Sequence, residues 1–488
     1  MVRFLNMSST IGRIALFCQI GALLCVLTPF GYTASRRDVH RELTKLLSLS
    51  PFKDMNVGIK VTSLETNDIL FDYHGDLLLK PASNVKLVTT LAALKYLGAD
   101  YEFKTKVYTD GTIQKGVLQG NLYVKGFGDP EFVSEELWYL VNDLKRNGFQ
   151  TITGNLVLDD SFFDTVRTVQ NGSNHEGERA YDAPLGALSV NFNTTAIYVR
   201  PNTKVGLKAR VIVDPTNSYI KVINKAKTDS ATKSLSLVVT RIEGKNQDTI
   251  MVTGGIPINY PEKRYYRNIT NPLLYAATLF RRFMKEQGLS IQGKNQFGVV
   301  PEKAQEILVH TSKPLRWIVS DLNKISNNFI AEQMLKTMAA ELNKSPGTTD
   351  KGIDILGNFL KEVGVKTPYQ LVNGSGLSPQ NKMSAAQLVD VLKYGYQYFE
   401  IFPEYMASMG IVGVDGTVEK RLQGTIAQGK VRVKTGSLTG VSSLSGYLST
   451  VKNELLAFSI LVNDSQDRVG DMQGLQDKIL LTLCGLEN

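Results

Sequence analysis

The segments patterned as β-strand lie at opposite ends of a 488-residue chain. Apolar residues alternate at 57–61 and 69–71, and again at 431–434, 443–448 and 455–462, with a turn at Lys452-Asn453. Five short strands bury nothing unless they join one sheet, so the two ends of the chain must meet. Helical periodicity at 83–97, 320–342, 354–363, 385–398 and 472–483 supplies the layers that would cover such a sheet. The expected fold class is therefore α/β, with one domain made from residues 36–98 and 300–488. Residues 99–299 are rich in short alternating runs and turn residues, and read as an inserted, mainly-β region. A smaller unit at about 190–265 is expected to nest inside it, and a helix at 273–287 to lead the chain back. Two segments within the insertion echo each other, Gly120-Asn121-Leu122-Tyr123-Val124 and Gly154-Asn155-Leu156-Val157-Leu158. They read as two strands of similar construction rather than as a repeat.

Three short strings in the discontinuous domain carry chemistry: Ser83-Asn84-Val85-Lys86, Ser326-Asn327-Asn328 and Lys434-Thr435-Gly436. The spacing of the first recurs at Ser50/Lys53, Ser218/Lys221, Ser230/Lys233 and Ser449/Lys452, so context must choose among five copies. Ser83 follows Pro81 and opens an apolar helical pattern, which puts it near a helix N-cap. Lys86, three residues on, then stands on the same face as the Ser83 hydroxyl. The other copies precede a proline, sit at a strand turn or lie in polar stretches. A serine hydroxyl needs a neighbouring base to become a nucleophile. The chain has four histidines, none close to these strings, whereas a lysine becomes a base when burial or a nearby cation lowers its pKa. Lys434 is the candidate cation, Ser326 a second hydroxyl for proton relay, and Asn328 a hydrogen-bonding partner for Lys86 and a substrate amide. Lys434 and Thr435 are suited to a substrate carboxylate, and Gly436 to a close backbone approach. Read singly, Ser83 and Ser326 are ordinary helix caps and Lys434 an ordinary strand end. Their common order and context favour chemistry.

The net charge is +9, with 43% hydrophobic and 21% charged residues, which describes a globular protein with a mildly basic surface. No Lys/Arg cluster is interleaved with aromatics, so nucleic acid is not expected as a partner. Metal-ligand spacing, a phosphate-cradling glycine loop and a nucleotide fingerprint are all absent, so no cofactor and no metal are expected. Arg3 and Arg13 precede an uncharged run at 14–34, followed by Arg36-Arg37. This has the shape of an export signal over residues 1–35, with a weak cleavage zone around Thr33-Ala34. The run is also long enough to serve as an uncleaved membrane anchor. The expected location is the periplasm or the outer face of the cytoplasmic membrane. Cys18 and Cys25 fall in that segment, leaving Cys484 as a buried thiol of the last helix.

The three strings are the S-x-x-K, S-x-N and K-T-G set of serine β-lactamases and penicillin-binding proteins. Further segments narrow the resemblance: Gly128-Asp129-Pro130, Gly154-Asn155-Leu156-Val157-Leu158-Asp159 with Phe163, Asn373-Gly374-Ser375-Gly376-Leu377-Ser378, Gly413-Val414-Asp415-Gly416-Thr417 and Gly446-Tyr447. The chain resembles the D-alanyl-D-alanine carboxypeptidase/endopeptidase family of low-molecular-mass penicillin-binding proteins with a large insertion after S-x-x-K. That resemblance implies a β-lactamase/transpeptidase-like domain and an acylation–deacylation cycle on peptidoglycan stem peptides, with β-lactams as covalent inhibitors. It implies Ser83 as nucleophile, Lys86 as its base, and the N–H groups of Ser83 and Ser437 as donors to the carbonyl oxygen. An insertion-domain Asp is linked in the family to the free amino group of the stem peptide, and Asp159 matches it best, with Asp160 adjacent. The chain departs from the family in having Asn373 where Asp is common and Pro379 where many members have Arg. The alternatives are a β-lactamase or esterase on the same scaffold, or a non-catalytic wall-binding protein.

Overall fold

The computed structural model describes residues 35–169, 177–343, 346–464 and 466–487. The two chain ends do share one sheet. Its six strands run in the order Ile69–Tyr73, Asn56–Ser63, Leu455–Asn463, Val441–Ser449, Val431–Leu438 and Gly410–Ile411, with every neighbouring pair antiparallel. The bridge between the ends is the pair Asn56–Ser63 and Leu455–Asn463, held in register over eight residues from Asn56 opposite Asn463 to Ser63 opposite Leu456. Alternation sends successive side chains of a strand to opposite faces. Along Leu455–Asn463, Ala457 and Leu461 face a helical core with Leu91, Leu322, Met334 and Leu388. Leu456, Phe458, Ile460 and Val462 face the two terminal helices, Arg36–Leu47 and Val469–Cys484. Cys484 is buried there, and burial pushes its thiol up to about 12.

Residues 1–35, expected as an export signal or anchor, lie outside the described residues, apart from Ser35, which caps the helix Arg36–Leu47 by accepting from the Asp38 N–H at 3.3 Å. Among the described residues no helix is long and apolar enough to cross a membrane.

The helix expected at 320–342 is two helices, Leu315–Ile325 and Asn328–Asn343. Ser326 breaks them, with a left-handed backbone (φ 60°) that no helix interior accepts, and the Asn327 side chain takes the Ile330 N–H at 3.2 Å to start the second. Within that second helix every residue from Phe329 to Ala340 is buried. One side packs on the helix Val85–Leu97 and the other on the inserted region, which explains why no polar face shows in its sequence.

The inserted region is built on a five-stranded sheet, in the order Asn295–Phe297, Leu156–Asp159, Leu122–Gly126, Lys104–Thr109 and Gln305–Thr311. The two echoing segments are adjacent parallel strands in matched register, Leu122 opposite Leu156 and Val124 opposite Leu158. Their glycine-asparagine starts interlock, with the Asn155 N–H donating to Asn121 Oδ1 at 2.8 Å. Because Gln305–Thr311 pairs with Lys104–Thr109, the inserted sheet extends beyond the expected boundary at 299. We propose that the chain returns to the first domain at about residue 312 instead. Three small sheets formed wholly between Thr194 and Asn268 are the proposed nested unit.

The insertion is pinned to the helix Asn328–Asn343 by a buried cation. Lys336, 1% exposed, donates to Asp164 Oδ1 and to the Val166 carbonyl, both at 2.6 Å. Gln333 donates to the Gly186 carbonyl at 2.8 Å one turn earlier. Removing one partner of a buried ion pair leaves the other charge stranded. Asp164→Ala is expected to lower stability by about 3 kcal/mol, the low end for such a loss because the Val166 carbonyl remains. A shift of the urea midpoint checks this, and Asp68→Ala, at an exposed pair with Arg36, is expected to leave the midpoint nearly unchanged.

Candidate active site

Ser83 does not cap the helix Val85–Leu97. It sits in a preceding 3-10 turn, Ala82–Asn84, and Asn84 holds the N-cap position. The turn starts from a left-handed Ala82 (φ 47°) and is tied to the sheet. The Asn84 side chain donates to the Lys434 carbonyl at 3.1 Å and accepts from Ser445 Oγ, while Ser443 Oγ donates to the Pro81 carbonyl at 2.7 Å. The nucleophile candidate is thus fastened to the strand Val431–Leu438 and its neighbour before any ligand arrives.

That leaves the Ser83 hydroxyl free to meet Lys86 Nζ at 2.8 Å. Lys86 is fully buried, and its other two contacts are Asn328 Oδ1 at 2.7 Å and the Ser375 carbonyl at 2.6 Å. Neither of these oxygens can donate a proton. A neutral Lys86 amine therefore spends its two N–H bonds on them and turns its lone pair to the one hydroxyl in reach, that of Ser83. Burial lowers the Lys86 pKa to about 7, against the opposing pull of Glu332. Of the two causes expected, burial is the one that lowers Lys86, and the candidate cation Lys434 is itself held well below the ordinary lysine range by burial and by Lys86.

Lys434, also fully buried, donates to Ser326 Oγ at 2.7 Å and to the Thr435 carbonyl at 2.8 Å. The left-handed turn at Ser326 is what aims its hydroxyl at the strand. Thr435 Oγ1 lies 2.7 Å from Thr417 Oγ1. A Cβ on Gly436 would come within 2.9 Å of both the Pro81 carbonyl and the Ser83 nitrogen, so glycine lets this strand lie against the nucleophile's N–H. Ser437 follows on the same strand and is exposed. The structure thus brings Ser83, Lys86, Ser326, Asn328, Lys434, Thr435 and Gly436 together. The serines of two other S-x-x-K copies, Ser50 and Ser218, sit exposed.

Asp159 is placed differently. It is fully buried at the end of an inserted strand, accepting from the Ser161 and Val300 N–H groups at 2.8 Å and paired with Lys125 at 3.3 Å. Asp160 is likewise occupied by the Leu188 N–H and Arg167. Both carboxylates hold the insertion together, and neither is presented to a ligand.

Four residues were not singled out from the sequence as site residues: Asn84, Glu332, Ser375 and Ser443. Glu332 stands one helical turn after Asn328 and accepts from the Ser375 N–H at 2.7 Å and the Gly374 N–H at 3.3 Å. The spacing Asn328–Glu332 was the one available signal, since residues four apart share a helix face. The Asn373–Ser378 segment, noted only as a family landmark, supplies the carbonyl that Lys86 needs. Asn373 Oδ1 is used within that loop, accepting from the Gly376 N–H and Asn381. Among the described residues no cluster of His, Cys, Asp and Glu is arranged to hold a metal.

Residues 39–479 match the D-Ala-D-Ala carboxypeptidase 3 (S13) family. A D-alanyl-D-alanine carboxypeptidase from an Actinomadura species is 34% identical over 423 residues, covering 83% of this chain and 77% of the relative. The crystal structure of penicillin binding protein 4 from Haemophilus influenzae superposes with a TM-score of 0.77 at 25% identity, covering 90% of this chain and 97% of that one. The same protein complexed with a β-lactam gives 0.73 at 26% identity, covering 91% and 98%.

Gly376 has a left-handed backbone (φ 77°), and a Cβ there would overlap the carbonyl of Ala82, next to Ser83. Gly376→Ala is expected to displace the nucleophile turn and slow its acylation by a penicillin about 100-fold, the typical effect of a misplacement near 1 Å. The rate of labelling by a fluorescent penicillin measures this, beside a thermal melt to confirm folding.

Proposed function

The chain belongs to the D-Ala-D-Ala carboxypeptidase 3 (S13) family, and from that premise we propose how its buried lysines and hydroxyls carry out the reaction. It is a serine D-Ala-D-Ala carboxypeptidase and/or D,D-endopeptidase that acts on peptidoglycan stem peptides through an acyl-enzyme and is inhibited by β-lactams. The observation that carries the mechanism is the Lys86 amine, 2.8 Å from Ser83 Oγ and with two obligate acceptors on its other sides. Lys86 takes the Ser83 proton as Oγ attacks the carbonyl of the penultimate D-Ala. The N–H groups of Ser83 and Ser437 receive the oxyanion. The substrate carboxylate docks at Lys434 and Thr435, and its negative charge draws a proton onto Lys434, which leaves Lys86 neutral for its role. Collapse of the intermediate breaks the C–N bond. The departing amine takes, by way of Ser326 Oγ, the proton that Lys86 received from Ser83, so Lys86 is again a free amine as D-Ala leaves. Water then attacks the Ser83 ester, Lys86 accepts its proton and returns it to the departing Ser83 Oγ, and the shortened peptide is released.

Endopeptidase action is the same chemistry with the D-Ala amide of a cross-link in place of the terminal one. The substrate lies in the cell envelope, which supports reading the N-terminal segment as an export signal or anchor. Digestion of purified cross-linked muropeptides separates the two activities, since free D-Ala and split dimers are scored independently.

Ser83→Ala is expected to abolish labelling by a fluorescent penicillin, whereas Ser50→Ala leaves it unchanged. Acylation requires neutral Lys86, so the rate is expected to level off above pH 7 and to fall about tenfold per pH unit below it. Stopped-flow labelling between pH 5 and 9 checks the position of that limb.

A further inference from the structure

We propose that Glu332 is a positioning residue that holds the lysine-accepting carbonyl in place and supplies the one negative charge against which Lys86 and Lys434 share a proton. The inference rests on the serine-acylation reading and assigns a role within it that none of the three sequence motifs contains.

The geometry comes first. Glu332 is 1% exposed, and its two carboxylate oxygens take the successive N–H groups of Gly374 and Ser375. The carbonyl of that same Ser375 accepts from Lys86 Nζ at 2.6 Å, and Thr89 Oγ1 steadies the Gly374 carbonyl at 2.7 Å. Helix spacing sets Asn328 and Glu332 on one face. Asn328 touches Lys86 directly, and Glu332 grips the loop that touches Lys86 from the other side. Two of the three contacts to the base are therefore governed from one turn of one helix.

Charge is the second part. Lys86, Lys434 and Glu332 are buried together, and an unbalanced charge in such a place costs several kcal/mol. Both oxygens of Glu332 face N–H donors, which favour the ionised carboxylate. One carboxylate balances one ammonium, so the lysine pair retains one proton. Burial holds Glu332 above the ordinary glutamate range, with Ser375, Gly374 and Lys86 opposing it in part, while Glu332 in turn raises Lys86. The charged group that acts on it is Lys86 on the nucleophile helix, which in turn acts on Lys434 of the catalytic strand, while Lys336 one turn on is occupied by Asp164. The Gly374–Ser375 loop contributes none.

The test is the pH dependence of penicillin acylation in Glu332→Gln, with folding checked by thermal melt. Removing the charge removes an influence that raises Lys86, so the acid limb is expected to move to lower pH by at least about half a unit. The plateau is expected to fall at least fivefold as the hold on Gly374–Ser375 slackens. Glu332→Asp keeps the charge but withdraws it by one methylene, so its limb is expected to stay within about 0.2 unit of wild type while its plateau falls. An unmoved limb in Glu332→Gln, or limbs moved equally in both variants, overturns the proposal. If Glu332→Gln does not fold, Glu332→Asp decides alone: a lowered plateau with a retained limb supports the proposal, and a wild-type plateau overturns it. Failure of wild-type protein to react with penicillin would instead overturn the acylation reading beneath it.

Discussion

A lysine amine removed wholly from water is the interaction on which the rest of this site depends. An exposed lysine stays protonated at neutral pH and cannot accept a proton from serine. Lys86 escapes that state because it is buried to 0% exposure, and once neutral its two acceptor-only partners leave its lone pair to the Ser83 hydroxyl. Burial would be prohibitive for an uncompensated charge, so the surroundings have to provide balance, and they do so with one carboxylate for two lysines. The nearby hydroxyls of Ser83 and Ser326 then each face one nitrogen of that pair, at 2.8 and 2.7 Å.

The fold can be understood as the means of assembling that buried pair. Lys86 comes from a helix near the start of the described chain, Asn328 and Glu332 from a helix past the insertion, and Lys434 from a strand near the end. A sheet closed between the chain ends brings these elements to one site, and the eight-residue register of Asn56–Ser63 with Leu455–Asn463 does this. The inserted region buries the far side of the helix Asn328–Asn343, so the residues behind the site are fixed from both directions.

Much of this was legible in the sequence because its signals are local. Alternation marked the five main sheet strands, and the order of three motifs marked most of the site residues. Long-range effects were not legible. Ser326 was readable as a helix cap, yet apolar periodicity continues across it, and the left-handed turn that aims its hydroxyl is a backbone property. Glu332 looked like an ordinary helical glutamate, since its partners Gly374 and Ser375 are more than 40 positions away. Which of burial and a neighbouring cation lowers Lys86 was not legible, because burial cannot be read from a motif. Asp159 was chosen by its neighbours in sequence, yet those neighbours fold it inward onto Ser161, Val300 and Lys125.

The central claim is that Lys86 is a neutral amine at the pH where the site works. The most direct measurement is a nitrogen-15 NMR titration of the lysine side chains, with the Lys86 resonance assigned by its loss in Lys86→Met. The account predicts one buried lysine signal that changes from ammonium to amine near pH 7. A Lys86 signal that stays in the ammonium range through pH 9 would contradict it.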